Sequence, residues 1–430
     1  MHVSGNWNNG TNVSPFYWNG NNGPSNTNIN IGARAVILWE STERAHATLP
    51  KGKITRKAAR LVAETMRTSR SVKDEETVIT WKDIEFDTMF TLEQAKTAAW
   101  RASEHKRDRP VVQLYLQNEH MLQELVDDLH RGTYRPVKVS PVKIFDCKSN
   151  KWRTIVMPDF RDQIVHWMIM LRLEPHMSKT FIHHTVAAIP NRGPALAHKV
   201  MRHWANCHKT ETRWVVKADI KRYYENIDHD ILMAMLSRRI RDKRVLKVIA
   251  SIVYQYKDGL PLGFYLSQWL SNFYLCEFDH YVKEVLGVKC YLRYVDDLLF
   301  AVPTKKMANR VVKAVRMRLH KLRLHIKEVG PGALRVFRWA SARFVDYIGV
   351  RTHRDGFQEL RKKTYLAIRR LAGRIRKSGS ASLSQARSLL SRMGFVKHTD
   401  CTRFKKEVFL TVAQFRLRRI VSNHDKRNAA

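Results

Sequence analysis

The stretch Cys290-Tyr-Leu-Arg-Tyr-Val-Asp-Asp-Leu-Leu-Phe-Ala-Val302 decides the fold. Apolar residues run up to two adjacent acids, Asp296 and Asp297, and resume at once, a pattern that predicts a β-hairpin with carboxylates at its tip. Two neighbouring acids between buried strands are costly unless something compensates their charge. A bound divalent cation does so, and an acidic cup of this kind points to phosphoryl-transfer chemistry.

Around this stretch the 430-residue chain carries 77 Lys+Arg against 39 Asp+Glu, a formal net charge of +38. The basic residues are spread over 51–430 rather than gathered in one tail, so the surface calls for a polyanionic partner such as nucleic acid. A hydrophobic fraction of 44% supplies a sizeable core. No apolar run reaches membrane-spanning length, and the polar first residues are not those of a signal peptide. Five scattered cysteines without a C-x-x-C pair argue against a disulfide framework and for a reducing compartment.

Upstream, Trp214-Val-Val-Lys-Ala-Asp219 is a short apolar strand ending in an acid. Asp219 is the natural partner of the hairpin acids: carboxylates from separate strands can share two cations about 3.5–4 Å apart, which bind both the attacking and the leaving oxygen. Either Asp228 or Asp230 can cap the helix that follows. Residues 137–145 and 152–157 predict a second hairpin with Lys148, Lys151 and Arg153 at or near its tip. Such a hairpin serves equally as a triphosphate clamp or as a solvated basic turn.

Helices are predicted at 118–129, stopped by Gly132 and Pro136, at 159–175, at 307–322 and beyond Arg361. The last is broken at Ser378-Gly-Ser380, and its second part ends at Gly394. Residues 324–329, carrying Lys327, read as a strand, and 344–350 with the Asp355-Gly356 turn as a further hairpin. Between these, Gly259-Leu-Pro-Leu-Gly-Phe-Tyr-Leu-Ser-Gln268 is a glycine-containing loop that leads into an apolar helix, and Gly263 permits close backbone approach to a ligand.

Five motifs occur in order: Lys151-Trp-Arg-Thr-Ile-Val-Met-Pro158 with Arg161-Asp162, Ala218-Asp-Ile-Lys-Arg-Tyr-Tyr224, Gly259 through Gln268, Tyr294-Val-Asp-Asp297, and Tyr347-Ile-Gly349. Together they resemble a reverse transcriptase over roughly residues 115–410. The resemblance implies an α+β right-hand polymerase fold, with fingers, a palm built on an antiparallel sheet and a helical thumb. It implies an RNA-directed DNA polymerase that uses two Mg²⁺ ions, with Mn²⁺ as a substitute, and binds template RNA, a cDNA/RNA duplex and dNTPs. Asp219, Asp296 and Asp297 become the catalytic acids, with Asp219 and Asp296 the main metal ligands, Asp297 in support and the Ile220 carbonyl facing a metal. Arg153, with Lys148 or Lys151, becomes the triphosphate-binding set. Tyr224 matches the aromatic that blocks a ribose 2′-OH, with a core aromatic as the other reading, and Lys327 is a candidate acid for the leaving pyrophosphate.

Within that family, group II intron and retron enzymes usually carry Gln before the loop glycine and Pro after its serine, where this chain has Leu262 and Gln268. The pattern resembles reverse transcriptases of diversity-generating retroelements, which copy a template repeat with errors opposite adenine during mutagenic retrohoming. A leucine cannot hydrogen-bond the nascent pair as a glutamine can, which gives misincorporation a route. Residues 1–34, rich in Asn and Gly around Trp7, Phe16, Tyr17 and Trp18, resemble the variable segment of the lectin-like targets of such elements. They are expected to be a disordered segment of translated template repeat.

The expected organisation is thus 1–34, a basic extension and linker over 35–114, fingers and palm over 115–355, and thumb with a basic tail over 356–430. The resemblance further implies a bacterial or phage-encoded cytoplasmic enzyme with a small basic oligomeric accessory protein. The alternatives are a group II intron-like or other bacterial reverse transcriptase, against which the lack of a maturase or endonuclease extension after residue 410 weighs, and a non-catalytic RNA-binding scaffold, which has no need of the acids.

Overall fold

The computed structural model describes residues 80–427 apart from 147–150, 343 and 412–413. The segment 1–34, residues 35–79 of the extension expected over 35–114, and Lys148 lie outside the described residues.

Among the described residues four helices precede the first strands: α1 (Phe86–Met89), α2 (Leu92–Ala102), α3 (Pro110–Gln117) and α4 (Glu119–Arg131). The α4 reading holds: Leu122, Leu125, Val126 and Leu129 are buried, the Asn118 side chain accepts from the His120 N–H, and Gly132 closes the helix at φ +70°. A glycine there avoids the Cβ penalty of the left-handed region.

The basic hairpin forms from β1 (Val142–Asp146) and β2 (Lys151–Ile155), with Val142 opposite Ile155. Its first strand starts later than 137. Val137 gives its N–H to Asp162 Oδ2 at 2.7 Å, so residues before β1 are tied to a helix instead of a ladder. That helix, α5 (Phe160–Thr180), runs through Pro175 and not merely up to it. Leu173 and Met177 on either side are fully buried, and their packing offsets the roughly 3 kcal/mol that an interior proline costs.

α6 (Pro194–Cys207) leads into β3 (Trp214–Asp219), which has the bounds read from the sequence. α7 (His229–Ser237) is capped by Asp228, whose carboxylate accepts from the Ile231 N–H at 2.9 Å. α8 (Lys243–Val253), α9 (Tyr265–Tyr274) and α10 (Cys276–His280) follow, then the acidic hairpin β4 (Cys290–Tyr294) and β5 (Asp297–Val302). After α11 (Lys305–Lys321) comes β6 (Arg335–Arg338). These strands form one antiparallel sheet in the order β4-β5-β3-β6.

The sheet is buried on both faces, which explains why its strands read as apolar runs. Val216, Ala218, Leu298 and Phe300 pack into the larger helical core. Val215, Leu299, Ala301 and Leu292 face the other way, onto α6, Trp339 and Tyr347.

Two strand expectations are corrected. Residues 324–329 form no extended strand; they meet the residue just past β3 through an isolated bridge between Ile220 and Ile326. The fourth strand of the sheet is instead β6, whose Arg335 and Arg338 are exposed at an open edge, so it lacks an apolar signal. Residues 344–350 divide into β7 (Val345–Tyr347) and β8 (Val350–Thr352), because Ile348 and Gly349 both take positive φ, +48° and +81°. That pair of angles is what a tight hairpin turn requires. The Asp355-Gly356 turn then joins β8 to β9 (Gln358–Leu360), completing a three-stranded antiparallel sheet.

The chain ends in helices α12 (Lys362–Ser378), α13 (Leu383–Lys397), α14 (Thr402–Thr411) and α15 (Gln414–Arg427), with a core of their own around Ile368, Leu371, Leu389, Met393 and Phe404. Gly379 ends α12 as expected. Gly394 does not end α13, which continues to Lys397: buried Met393 and Val396 hold the last turn. The expected mixture of helices with an antiparallel sheet is therefore present.

Candidate active site

β3 and β5 pair so that Asp219 lies directly opposite Asp297, and the Ile220 N–H donates to the Asp296 carbonyl at 3.1 Å. Asp296 occupies the two-residue tip between β4 and β5, beside Val295 at φ +56°. A β-branched residue in that region is strained, and such strain persists only where surrounding contacts fix it. The three acids read from the sequence are thus brought together by register and by one turn.

Arg293, which sequence reasoning did not single out, supports that turn from within. Its guanidinium is fully buried and donates to both Asp279 oxygens, to Asn272 Oδ1 at 3.0 Å and to the Val295 carbonyl at 3.1 Å. Tyr291 and Thr185 hydroxyls complete Asp279 at 2.6 and 3.0 Å. A lone arginine inside an apolar strand was the available signal, since a buried guanidinium demands a partner.

The carboxylates are electrostatically crowded. Burial, and next the charge of Asp219, hold Asp296 well above the ordinary carboxylate range, and the two side chains share a hydrogen bond. Burial also raises Asp297, to about 6, against the opposing pull of Lys217. Asp297 Oδ1 is buried and accepts no hydrogen bond among the described residues. No three His, Cys, Asp or Glu side chains among the described residues already converge on one ion position. The donor chemistry nevertheless fits a divalent cation. Hard oxygen ligands are present, and crowded buried carboxylates stand where a cation's charge would relieve their repulsion.

Beside the acids, the two neighbouring tyrosines divide their roles. Tyr223 is the core aromatic, fully buried with its hydroxyl donating to the Ser271 carbonyl. Tyr224 is half-buried; Ser271 Oγ lies 3.3 Å from its hydroxyl, and the nearby Asp296 helps to raise its pKa to about 12 after the larger effect of burial.

The loop over 259–263 is clamped at both ends. Leu260 donates to the Tyr224 carbonyl at 2.8 Å, and Val156, just past β2, donates to the Leu262 carbonyl at 2.8 Å. A Cβ on Gly263, at φ +114°, would stand 2.3 Å from the Val156 carbonyl oxygen. Glycine is therefore required by close backbone contact. Leu262 and Gln268 are half-buried, and the Gln268 carbonyl accepts from Ser271 Oγ at 2.9 Å. Tyr224, Leu260, Leu262 and the base of the basic hairpin are so joined by main-chain bonds, with Gly263 packed against Val156. Arg153 lies on β2 opposite Ile144, and Lys151 opens that strand.

Lys327 is placed differently from its expected role. Its N–H donates to the Asp219 carbonyl at 2.8 Å, but its ammonium donates to the Pro331 carbonyl. The turn so held places Gly332 against Asp219: a Cβ there would lie 2.4 Å from Asp219 Oδ2.

Among the described residues no helix is long and apolar enough to cross a membrane. Residues 144–329, the segment holding the acids, match the family model described as reverse transcriptase (RNA-dependent DNA polymerase). Protein YkfC of Escherichia coli K12 is 30% identical over 175 residues, 38% of this chain and 45% of that protein. The group II intron-encoded protein LtrA of Lactococcus lactis subsp. cremoris is 28% identical over 178 residues, 39% of this chain and 29% of that protein. The chain thus spans less than half the length of these two curated relatives. Among solved structures, apo telomerase from Candida tropicalis aligns with a TM-score of 0.40 at 11% identity, covering 79% of this chain and 82% of that one.

Proposed function

We propose that the chain is an RNA-directed DNA polymerase that makes error-prone cDNA in a diversity-generating retroelement. The observation that carries the polymerase reading is the pairing of Asp219 with Asp297 beside the Asp296 turn. In the reaction the primer 3′-oxygen forms a bond to the α-phosphorus of a dNTP, the bond from that phosphorus to the bridging oxygen breaks, and pyrophosphate leaves. Bound divalent cations, Mg²⁺ in the first instance, supply charge neutralisation and activation of the attacking hydroxyl. Asp219 and Asp296 would hold them, with the Ile220 carbonyl and Asp297 in support.

The remaining roles belong to the chain's own side chains. Tyr224, whose hydroxyl feels the charge of Asp296, would exclude a ribose 2′-OH. Arg153, with Lys148 or Lys151, would bind the triphosphate. Lys327 would have to leave the Pro331 carbonyl to protonate pyrophosphate. Residues 115–355 would be fingers and palm, and α12 to α15 a thumb whose exposed Arg370, Arg374 and Lys377 suit a duplex backbone.

The retroelement assignment rests on Leu262 and Gln268 and on the composition of residues 1–34. A small basic accessory oligomer belongs to the same reading. Similarity to the group II intron-encoded protein favours the second reading, an intron-like reverse transcriptase. Primer extension on an RNA template tests both levels. Extension should require Mg²⁺ and be abolished by Asp296→Asn with RNA binding retained. Persistent extension by that variant refutes the acid assignment, and faithful copying of template adenine by the wild type favours the intron-like reading.

A further inference from the structure

Lys217 lies on β3 two residues before Asp219, hence on the same face of the strand. Its ammonium stands 3.7 Å from Asp297 Oδ2 and donates to the Asp346 carbonyl oxygen at 2.9 Å. The Asp346 carboxylate is already engaged by Arg361, whose Nε lies 3.1 and 2.9 Å from its two oxygens. Lys217 therefore meets Asp346 through its main chain and keeps its charge for Asp297. Tyr347 fixes the other side of the pair: its hydroxyl donates to the Asp297 carbonyl at 2.8 Å, and its ring centroid lies 5.5 Å from the ammonium. The β7-β8-β9 sheet thus presents Lys217 to one of the three acids.

We propose that Lys217 competes with the bound divalent cation for Asp297 and keeps that acid to a supporting role, so that it sets the affinity and selectivity of the site as a positioning residue. This rests on the acids being a metal site. Three free carboxylates would bind any divalent cation tightly and would suit Ca²⁺, which accepts more oxygen ligands than Mg²⁺. A lysine paired with one of them lowers both the charge and the ligand count presented to the ion.

The test is direct cation binding by calorimetry on the full chain, with MgCl₂ and CaCl₂ as titrants, for wild type, Lys217→Met, Lys217→Arg and the double variant Lys217→Met/Asp297→Asn. Lys217→Met should bind cation more tightly by about tenfold or more, the scale of one unit charge a few Å away, with Ca²⁺ gaining more than Mg²⁺. Lys217→Arg should stay near wild type, and the double variant should lose the gain. Extension by Lys217→Met should become more sensitive to inhibition by Ca²⁺. Affinity unchanged or weakened in a Lys217→Met protein of wild-type circular dichroism and melting temperature overturns the proposal, since damage to structure alone cannot tighten binding. Saturable binding absent from every variant, wild type included, overturns the metal reading itself and this inference with it.

Discussion

Arg293 and Asp279 form an ion pair that meets no solvent: Nη2 lies 2.7 Å from Oδ2 and both side chains are 0% exposed. The pair joins β4 to α10, and through the Val295 carbonyl it reaches the turn that displays Asp296. A buried pair adds little over an apolar substitute, but removing one member leaves a buried charge unmatched.

Arg293→Ala should accordingly cost about 3–5 kcal/mol of unfolding free energy. Primer extension should fall further than the loss of folded protein explains, because Val295 and Asp296 lose their support. Urea denaturation alongside extension at a temperature where the variant is folded checks this. A loss under 1 kcal/mol would show that the network is not structural.

Cation binding should release a proton. A carboxyl raised from about 4 in the unfolded chain to about 8 in the fold, as Asp296 is, keeps its proton at neutral pH. The sign follows: the shift favours the cation-free fold at low pH, and that contribution is lost as pH rises from about 4 to about 8. A divalent cation must displace the proton, so apparent affinity should rise with pH up to about 8 and then level. Calorimetry in buffers of different ionisation enthalpy should show release approaching one proton at pH 6.5 and little at pH 9.5. Affinity independent of pH over this range would contradict a proton kept by Asp296.

Gly332→Ala should injure the site with little effect on global stability. Gly332 has φ +87° in an exposed turn, and its new Cβ would meet Asp219 Oδ2 at 2.4 Å. Either the turn or the carboxylate must move. A fall in extension of at least about tenfold, the scale of one misplaced catalytic group, with a higher Mg²⁺ requirement and a nearly unchanged melting temperature, is expected. Full activity at wild-type Mg²⁺ would show that the contact is dispensable.

Leu262→Gln should reduce misincorporation opposite template adenine. The backbone carbonyl of this residue, not its side chain, bonds to Val156, so the substitution leaves the loop anchored. Sequencing of cDNA from a defined RNA template provides the measurement. An unchanged error spectrum would remove Leu262 from the account of fidelity.

Some features were legible because their signals are local. The apolar run broken at Asp296 marks its own hairpin, β3 ends at its acid, and Asn118 with Gly132 brackets α4. Each signal sits within one strand or one helical turn, where periodicity and capping act. Local signals also misled. Pro175 and Gly394 predicted helix ends, yet buried neighbours carry α5 and α13 past them. The exposed arginines of β6 hid a strand of the central sheet.

By itself the sequence singled out Asp219, Asp296 and Asp297, the turn that displays Asp296, and a formal net charge of +38. Only tertiary structure decided which acid faces which. The opposition of Asp219 to Asp297, the hold of Arg293 on the turn, the claim of Lys217 on Asp297 and the diversion of the Lys327 ammonium to Pro331 all arise between segments remote in the chain. The physical reason is that charge and hydrogen-bond pairing depends on distance in space, which is fixed only when strand register and burial have chosen the neighbours.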